Sequence, residues 1–239
     1  MTSGLFNYSE DPRVDAPYLA GNLGYVWSPK ELVAIAVSHK PLFAPGKGWA
    51  YCNTCYVLLG LIVEKVSGHA LGVELRQRIF LPLHLRATSF DTKRRMSGRY
   101  AHGYYRDGKK LIDVSALSPS QGWAAGAMVS TADDVLTFFD ALYGGRLLRP
   151  DLLRAMRTTV AAYSATFRYG LGLGQTPAPC GAMLGNHGDT AGYSTDAYGT
   201  RDGEHRFVLL DTLDAASLSK QSQGALAKVR VLAYCGGRG

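Results

Sequence analysis

A phenol and a carboxamide two residues apart, Tyr51 and Asn53, stand where the chain turns from a loop into an apolar run. A tyrosine can take up and return a proton, and an asparagine can hold an amide through paired donor and acceptor groups. Pro45-Gly46 delivers the chain to this triplet, and the apolar run that follows places both side chains beside a helix N-terminus. Helix-end N–H groups and their dipole favour developing negative charge there. On these residues alone two readings are open: an active-site triplet, or an ordinary turn with a buried aromatic and an N-cap. Cys52-Asn53-Thr54-Cys55 overlays a second pattern, the spacing of half a zinc site or of a redox pair. No second such pair and no His pair at ligand spacing accompanies it, so no metal and no cofactor is expected. Cys52 as a nucleophile would need a neighbour that favours its thiolate, and the sequence offers none.

The elements that must carry these residues follow from local signals. The stretch to Val26, rich in Gly, Pro, Asn and Asp, reads as a surface loop. Ser28-Pro29-Lys30-Glu31 is a capping box with proline at the first helical position, which predicts a helix from Pro29 to Ser38. Helical spacing from Thr54 to Val66, with Gly68 as its stop, predicts the helix behind the triplet, and another spans Leu71 to Ile79. Asp107-Gly108 marks a hairpin within Tyr100 to Val114. Ser130-Thr131-Ala132-Asp133 caps a helix that ends at Gly144, and Asp151 to Thr158 forms a short one. Three antiparallel strands are then expected, at Tyr169-Gly-Leu-Gly-Leu, Tyr193 to Gly199 and Arg206 to Thr212, followed by a helix from Ser217 to Tyr234.

The 239 residues, 46% hydrophobic and 19% charged, suit a globular domain with a sizeable core. The net charge of +7 is moderate, and its densest run, Lys93-Arg94-Arg95, reads as a solvated loop and not as a nucleic-acid patch. No apolar stretch reaches membrane-spanning length, and no secretory leader is read after Met1.

In chain order, Ser3-Gly4-Leu5, Pro45-Gly46 with Tyr51-Cys52-Asn53-Thr54 and Leu58-Leu59-Gly60, Ala125-Gly126 to Asp134, Tyr169-Gly170-Leu171-Gly172 and Gly185-Asn186-His187-Gly188-Asp189-Thr190-Ala191-Gly192-Tyr193 form a set. Together they resemble the serine β-lactamase-like, penicillin-recognising family, especially its class C β-lactamase and D-alanyl-D-alanine carboxypeptidase branch. The resemblance implies an α/β fold of the α+β type: an antiparallel sheet packed by helices, with a helical lobe. One domain over 1–239 is expected, with 27–160 mainly helical and 165–239 holding strands and the last helix. It also implies covalent catalysis, in which the serine of a Ser-x-x-Lys motif attacks an amide or lactam carbonyl and water hydrolyses the acyl-enzyme. Tyr51 would be the general base or proton relay and Asn53 would hydrogen-bond the substrate amide. The segment around His187 and Gly188 would lie on the strand lining the cleft, where a backbone N–H completes an oxyanion hole.

The family's His/Lys-Thr/Ser-Gly motif is replaced here by Asn186-His187-Gly188, or by His187-Gly188-Asp189 if aligned on the histidine; the first keeps glycine where substrate must approach. His187 is otherwise a plain surface residue. Asp189 would repel a substrate carboxylate, which brings an esterase or D-amino-acid amidase within range. Trp123 either lines the approach to the cleft or packs under its loop. The resemblance pairs Cys180 with Cys235 in a disulfide and implies an extracellular or cell-envelope parent, whereas without a leader the chain as written is expected in the cytoplasm.

The family's Ser-x-x-Lys belongs upstream of Tyr51, together with the first strands and the nucleophile helix, and the expectation is a family member beginning tens of residues late. Ser217-Leu218-Ser219-Lys220 matches the pattern but falls at the last helix, where Ser217 reads as an N-cap. The expected function is therefore a serine hydrolase by descent, acting on cell-wall peptides, β-lactams or esters and inactive as written. The alternatives are a non-catalytic cell-wall peptide-binding module, one half of a split enzyme, or a CxxC metal or redox protein. Self-association through exposed apolar surface is a further expectation.

Overall fold

Ser28 opens the helix Pro29–Val37 (α2) through the expected reciprocal cap: its side chain accepts from the Glu31 N–H, and Glu31 accepts from the Ser28 N–H at 2.8 Å. The computed structural model describes residues 1–90, 92, 96, 99–164, 166–213 and 218–236. The Lys93-Arg94-Arg95 run and Ser217 lie outside the described residues. The chain divides into two compact units, residues 1–100 with 115–129 and residues 101–114 with 130–239.

In the first unit a short helix, Ala16–Leu19 (α1), precedes α2, and the main element is Asn53–Ser67 (α3), closed by Gly68 in the left-handed conformation at φ 76°. Leu71–Leu75 (α4) continues into a π-helical turn, Arg76–Phe80. Ser89–Phe90 (β1) pairs antiparallel with Met128–Val129 (β4). The core joins Tyr8, Val14, Leu32, Ile35, Val57, Leu71 and Trp123.

Only part of the stretch before Val26 is surface: Tyr8 and Val14 are each only 2% exposed, whereas no residue from 15 to 26 is buried. Its polar composition serves to satisfy backbone groups where the segment is buried. Thr54 Oγ1 donates to the Phe6 carbonyl at 2.7 Å and accepts the Tyr8 N–H at 3.1 Å. Buried Asp11 is held by Arg13 and by the His39 ring, and these partners pull its carboxyl well below the usual range.

The second unit carries the hairpin Tyr104–Asp107 (β2) and Lys110–Asp113 (β3), turning where the sequence predicts. Ala132–Tyr143 (α5) is capped by Thr131, and Pro150–Arg157 (α6) follows. The sheet has six strands: Val160–Ala161 (β5), Arg168–Tyr169 (β6), Gly174–Ala178 (β7), Gly181–Thr190 (β8), Tyr193–Gly199 (β9) and Arg206–Asp211 (β10). They lie in sequential antiparallel order, so consecutive hairpins build it.

Three strands were too few, and the Gly170–Leu173 stretch is a turn instead of a strand. There the Gly170 N–H bonds the Leu173 carbonyl at 2.7 Å and Gly172 takes φ 79°. Alternation of Gly with Leu mimics strand periodicity, while glycine supplies the turn. The long β8 was hidden because its second half, Asn186 to Thr190, is polar and exposed.

Both faces of the sheet are covered. Leu184 and Ala197 pack on Phe139 and Tyr143 of α5, whereas Met183 and Phe207 pack on Tyr234 of the last helix, Lys220–Cys235 (α7). Helix α7 starts later than expected, capped by Ser219 in place of Ser217. The Cys180–Cys235 disulfide, with 5.6 Å between Cα atoms, ties the start of β8 to the end of α7.

Candidate active-site corner and third-motif strand

Asn53 is the first residue of α3, and two hydrogen bonds fix its position. Its backbone N–H, one of the orphan donors of a helix start, is taken by Asn7 Oδ1 at 3.1 Å, and its side-chain amide donates to Ser9 Oγ at 3.0 Å. Tyr51, one residue before the cap, is 45% exposed. At this exposure the buried-aromatic reading of the triplet does not hold. Tyr8 lies near enough that Tyr51 adds to the upward push that burial gives its phenol. Cys52 is the N-cap, and its sulfur accepts the Cys55 N–H at 3.0 Å. The two cysteines are joined to each other, so in this form neither sulfur is a zinc ligand or a free nucleophile.

Trp123 is 7% exposed and packs as core. Its ring meets Phe90 at 6.4 Å between centroids, and it crowds Gly60, where an added Cβ would come within 2.7 Å of the indole. Glycine in Leu58-Leu59-Gly60 is thus the space the tryptophan occupies. Ring and helix together line an apolar hollow of about 190 Å³ with Tyr56, Leu71 and Met128.

In the second unit, alternation along β8 divides the expected third-motif residues between two faces. Asn186 and Gly188 share the Leu184 face, toward α5, and Asn186 Nδ2 donates to the Tyr169 hydroxyl at 3.4 Å. An added Cβ at Gly188 would meet nothing within 4 Å, so the strand is open there. His187 and Asp189 share the opposite face, with Asp196 across the ladder on β9. His187 Nδ1 lies 2.8 Å from Asp196 and Nε2 2.5 Å from Asp189. Arg230 of α7 donates to the other oxygen of Asp196, which is 4% exposed. The Asp189 bond first and the Asp196 bond second raise the His187 imidazole to about 9 despite partial burial, and Asp189 is lowered mainly by His187. At neutral pH the ring is an imidazolium bound from both nitrogens, and Asp189 is a neutralised partner instead of a bare charge.

Asp196 and Arg230 were not anticipated, nor were Asn7 and Ser9. An aspartate in the middle of the extended run Tyr193 to Gly199 was the available signal, since a charge there demands a buried partner. Asn7 and Ser9 had no signal short of knowing that the first segment folds back. Among the described residues no group of three or more His, Cys, Asp or Glu side chains is arranged to hold a metal, and no single helix is long and apolar enough to cross a membrane.

Comparison with known proteins agrees with this architecture. A D-stereospecific amidohydrolase from Streptomyces sp. superposes with a TM-score of 0.88 at 38% identity, covering 98% of this chain and 70% of that one. The D-amino acid amidase from Ochrobactrum anthropi SV3, complexed with L-phenylalanine amide, gives 0.82 at 26% identity, covering 97% and 68%. Penicillin-binding protein 4* of Bacillus subtilis (strain 168) is 31% identical over 169 residues, 64% of this chain and 37% of that protein. The chain therefore spans little more than a third of that relative's length. The beta-lactamase family profile matches residues 1–214, and the chain belongs to that family of serine β-lactamase and penicillin-binding-protein-like proteins.

Proposed function

We propose that the chain carries the proton-handling and substrate-holding part of a serine acyl-transfer hydrolase acting on D-configured amino-acid amides or peptides. The observation that carries this reading is the corner at the start of α3, where an exposed Tyr51 stands beside an Asn53 whose backbone and side chain are both fixed. A proton relay must be reachable, and a substrate holder must be pre-positioned. Tyr51 moves the proton of the attacking serine and Asn53 holds the substrate amide. The name of the 38% identical amidohydrolase supports an amide of D configuration. Asn186, an uncharged group on the face of β8 shared with Gly188, favours a substrate without a free carboxylate over a carboxypeptidase substrate. The disulfides favour an oxidising cell-envelope location.

The only Ser-x-x-Lys in the 239 residues is Ser217 to Lys220, and Lys220 begins α7. Acyl transfer therefore needs a Ser-x-x-Lys brought by further polypeptide, in the same chain or as the other part of a split enzyme. Supplying such a segment should give hydrolysis of D-phenylalanine amide. Tyr51→Phe should then lower kcat by about 100-fold or more with little change in KM. Unchanged kcat in that variant would remove Tyr51 from the mechanism.

A further inference from the structure

The Cys52–Cys55 disulfide closes the first turn of α3, and its two sulfurs have unlike surroundings. Cys52 is 1% exposed, and its sulfur accepts the Cys55 backbone N–H at 3.0 Å. Cys55 is half-buried and lines an open hollow of about 480 Å³ with Thr2, Ser3, Leu5 and Leu58. Ser3 Oγ lies 3.0 Å from Cys55 Sγ and 3.9 Å from Cys52 Sγ. One sulfur is reachable and has a hydroxyl beside it; the other is enclosed and faces an N–H donor at a helix N-terminus.

We propose that Cys52–Cys55 is a thiol–disulfide exchange site that takes a dithiol reductant and controls the corner holding Tyr51 and Asn53. The thiolate of the dithiol enters the hollow and attacks Cys55 Sγ. The S–S bond breaks, and its electron pair leaves on Cys52. The Cys55 N–H and the aligned peptide dipoles of α3 stabilise that departing thiolate. The second thiol of the reductant then attacks the reductant's own sulfur in the mixed disulfide, and Cys55 departs as a thiolate to which Ser3 can donate. The reductant ends as a disulfide, and the protein gains two electrons and two protons. Because Cys52 lies between Tyr51 and Asn53, opening the bridge releases the backbone that joins them. That consequence for catalysis rests on the roles proposed for Tyr51 and Asn53, whereas the exchange itself does not.

Cys180–Cys235 provides an internal reference. It spans 55 residues against 3 for Cys52–Cys55, and longer closed loops constrain the unfolded chain more. The test equilibrates the 239-residue chain in buffers of graded reduced-to-oxidised dithiothreitol, quenches with an alkylating agent, and counts labelled cysteines by peptide mass spectrometry. Circular dichroism and amide NMR are recorded at each ratio. Cys52 and Cys55 should become labelled together at a ratio at least 10-fold lower than Cys180 and Cys235, reversibly and with helix signal retained. The Asn53 amide resonance should move in the same step, and that of Asn186 should not. Opening of both bridges at one ratio, opening of Cys52–Cys55 last, or loss of helix signal in the first step would overturn the exchange site. An unmoved Asn53 resonance would overturn its control of the corner. None of these outcomes depends on hydrolytic activity, so failure here is distinguishable from failure of the acyl-transfer reading.

Discussion

His187 sits between two carboxylates, and that sets its charge across the neutral range. Its folded value of about 9 lies above the ordinary 6.5, so the stabilisation it brings is complete below about pH 6.5 and is lost as pH rises through about 9. The ring is 36% exposed, and solvent screening reduces the effect to about 1 kcal/mol. Thermal unfolding should therefore show Tm falling between pH 7 and 10, and His187→Gln should flatten that slope. An unchanged slope in the variant would separate the pH dependence from this cluster. The types of Tyr51, Asn53 and His187 were readable as chemistry, but the direction of His187 was not. Its partner Asp196 lies 9 residues away, and Arg230, which holds Asp196, lies 34 residues beyond that; only the β8–β9 register and the docking of α7 bring them in. Alternation along β8 puts Asn186 and Gly188 on one face and His187 and Asp189 on the other.

Helix α3 carries the corner, and its apolar residues are not confined to one face. Thr54, Val57 and Gly60 are buried, while Leu59, Ile62, Val63 and Val66, spaced to share a stripe, are 55%, 56%, 38% and 82% exposed. Gly60 is where the helix meets Trp123. Gly60→Ala would place a methyl 2.7 Å from both the indole and the Ala124 side chain. The gain in helix propensity is under about 1 kcal/mol, and overpacking costs about 1 to 3, so the variant should be less stable by denaturant unfolding. A more stable variant would show that Trp123 gives way freely. Helix starts were the most legible elements, because the Ser28 and Thr131 caps act within four residues. The sheet was the least legible. Its pairing is set by hairpins and by the two helices on its faces, and polar Asn186 to Thr190 carries no strand period.

At the scale of the molecule, the exposed stripe of α3 is apolar surface of the kind that associates in water. Light scattering of the purified chain should show self-association that Ile62→Ser with Val66→Ser reduces; a monomer at all concentrations would contradict that expectation. The family assignment rests on a match over residues 1–214, and it was legible because five landmarks stand in order across both units. What the landmarks could not convey was that Tyr8 and Val14, within the stretch before Val26, are core, since burial of Tyr8 depends on Thr54 being in place. The central claim is that these 239 residues hold the Tyr-x-Asn corner of a serine acyl-transfer site and not its nucleophile. The most direct test incubates the purified chain with a fluorescent penicillin and measures covalent adduct by intact mass. The predicted result is no adduct, with labelling restored when a Ser-x-x-Lys segment is supplied; a stoichiometric adduct on the 239-residue chain alone would contradict the account.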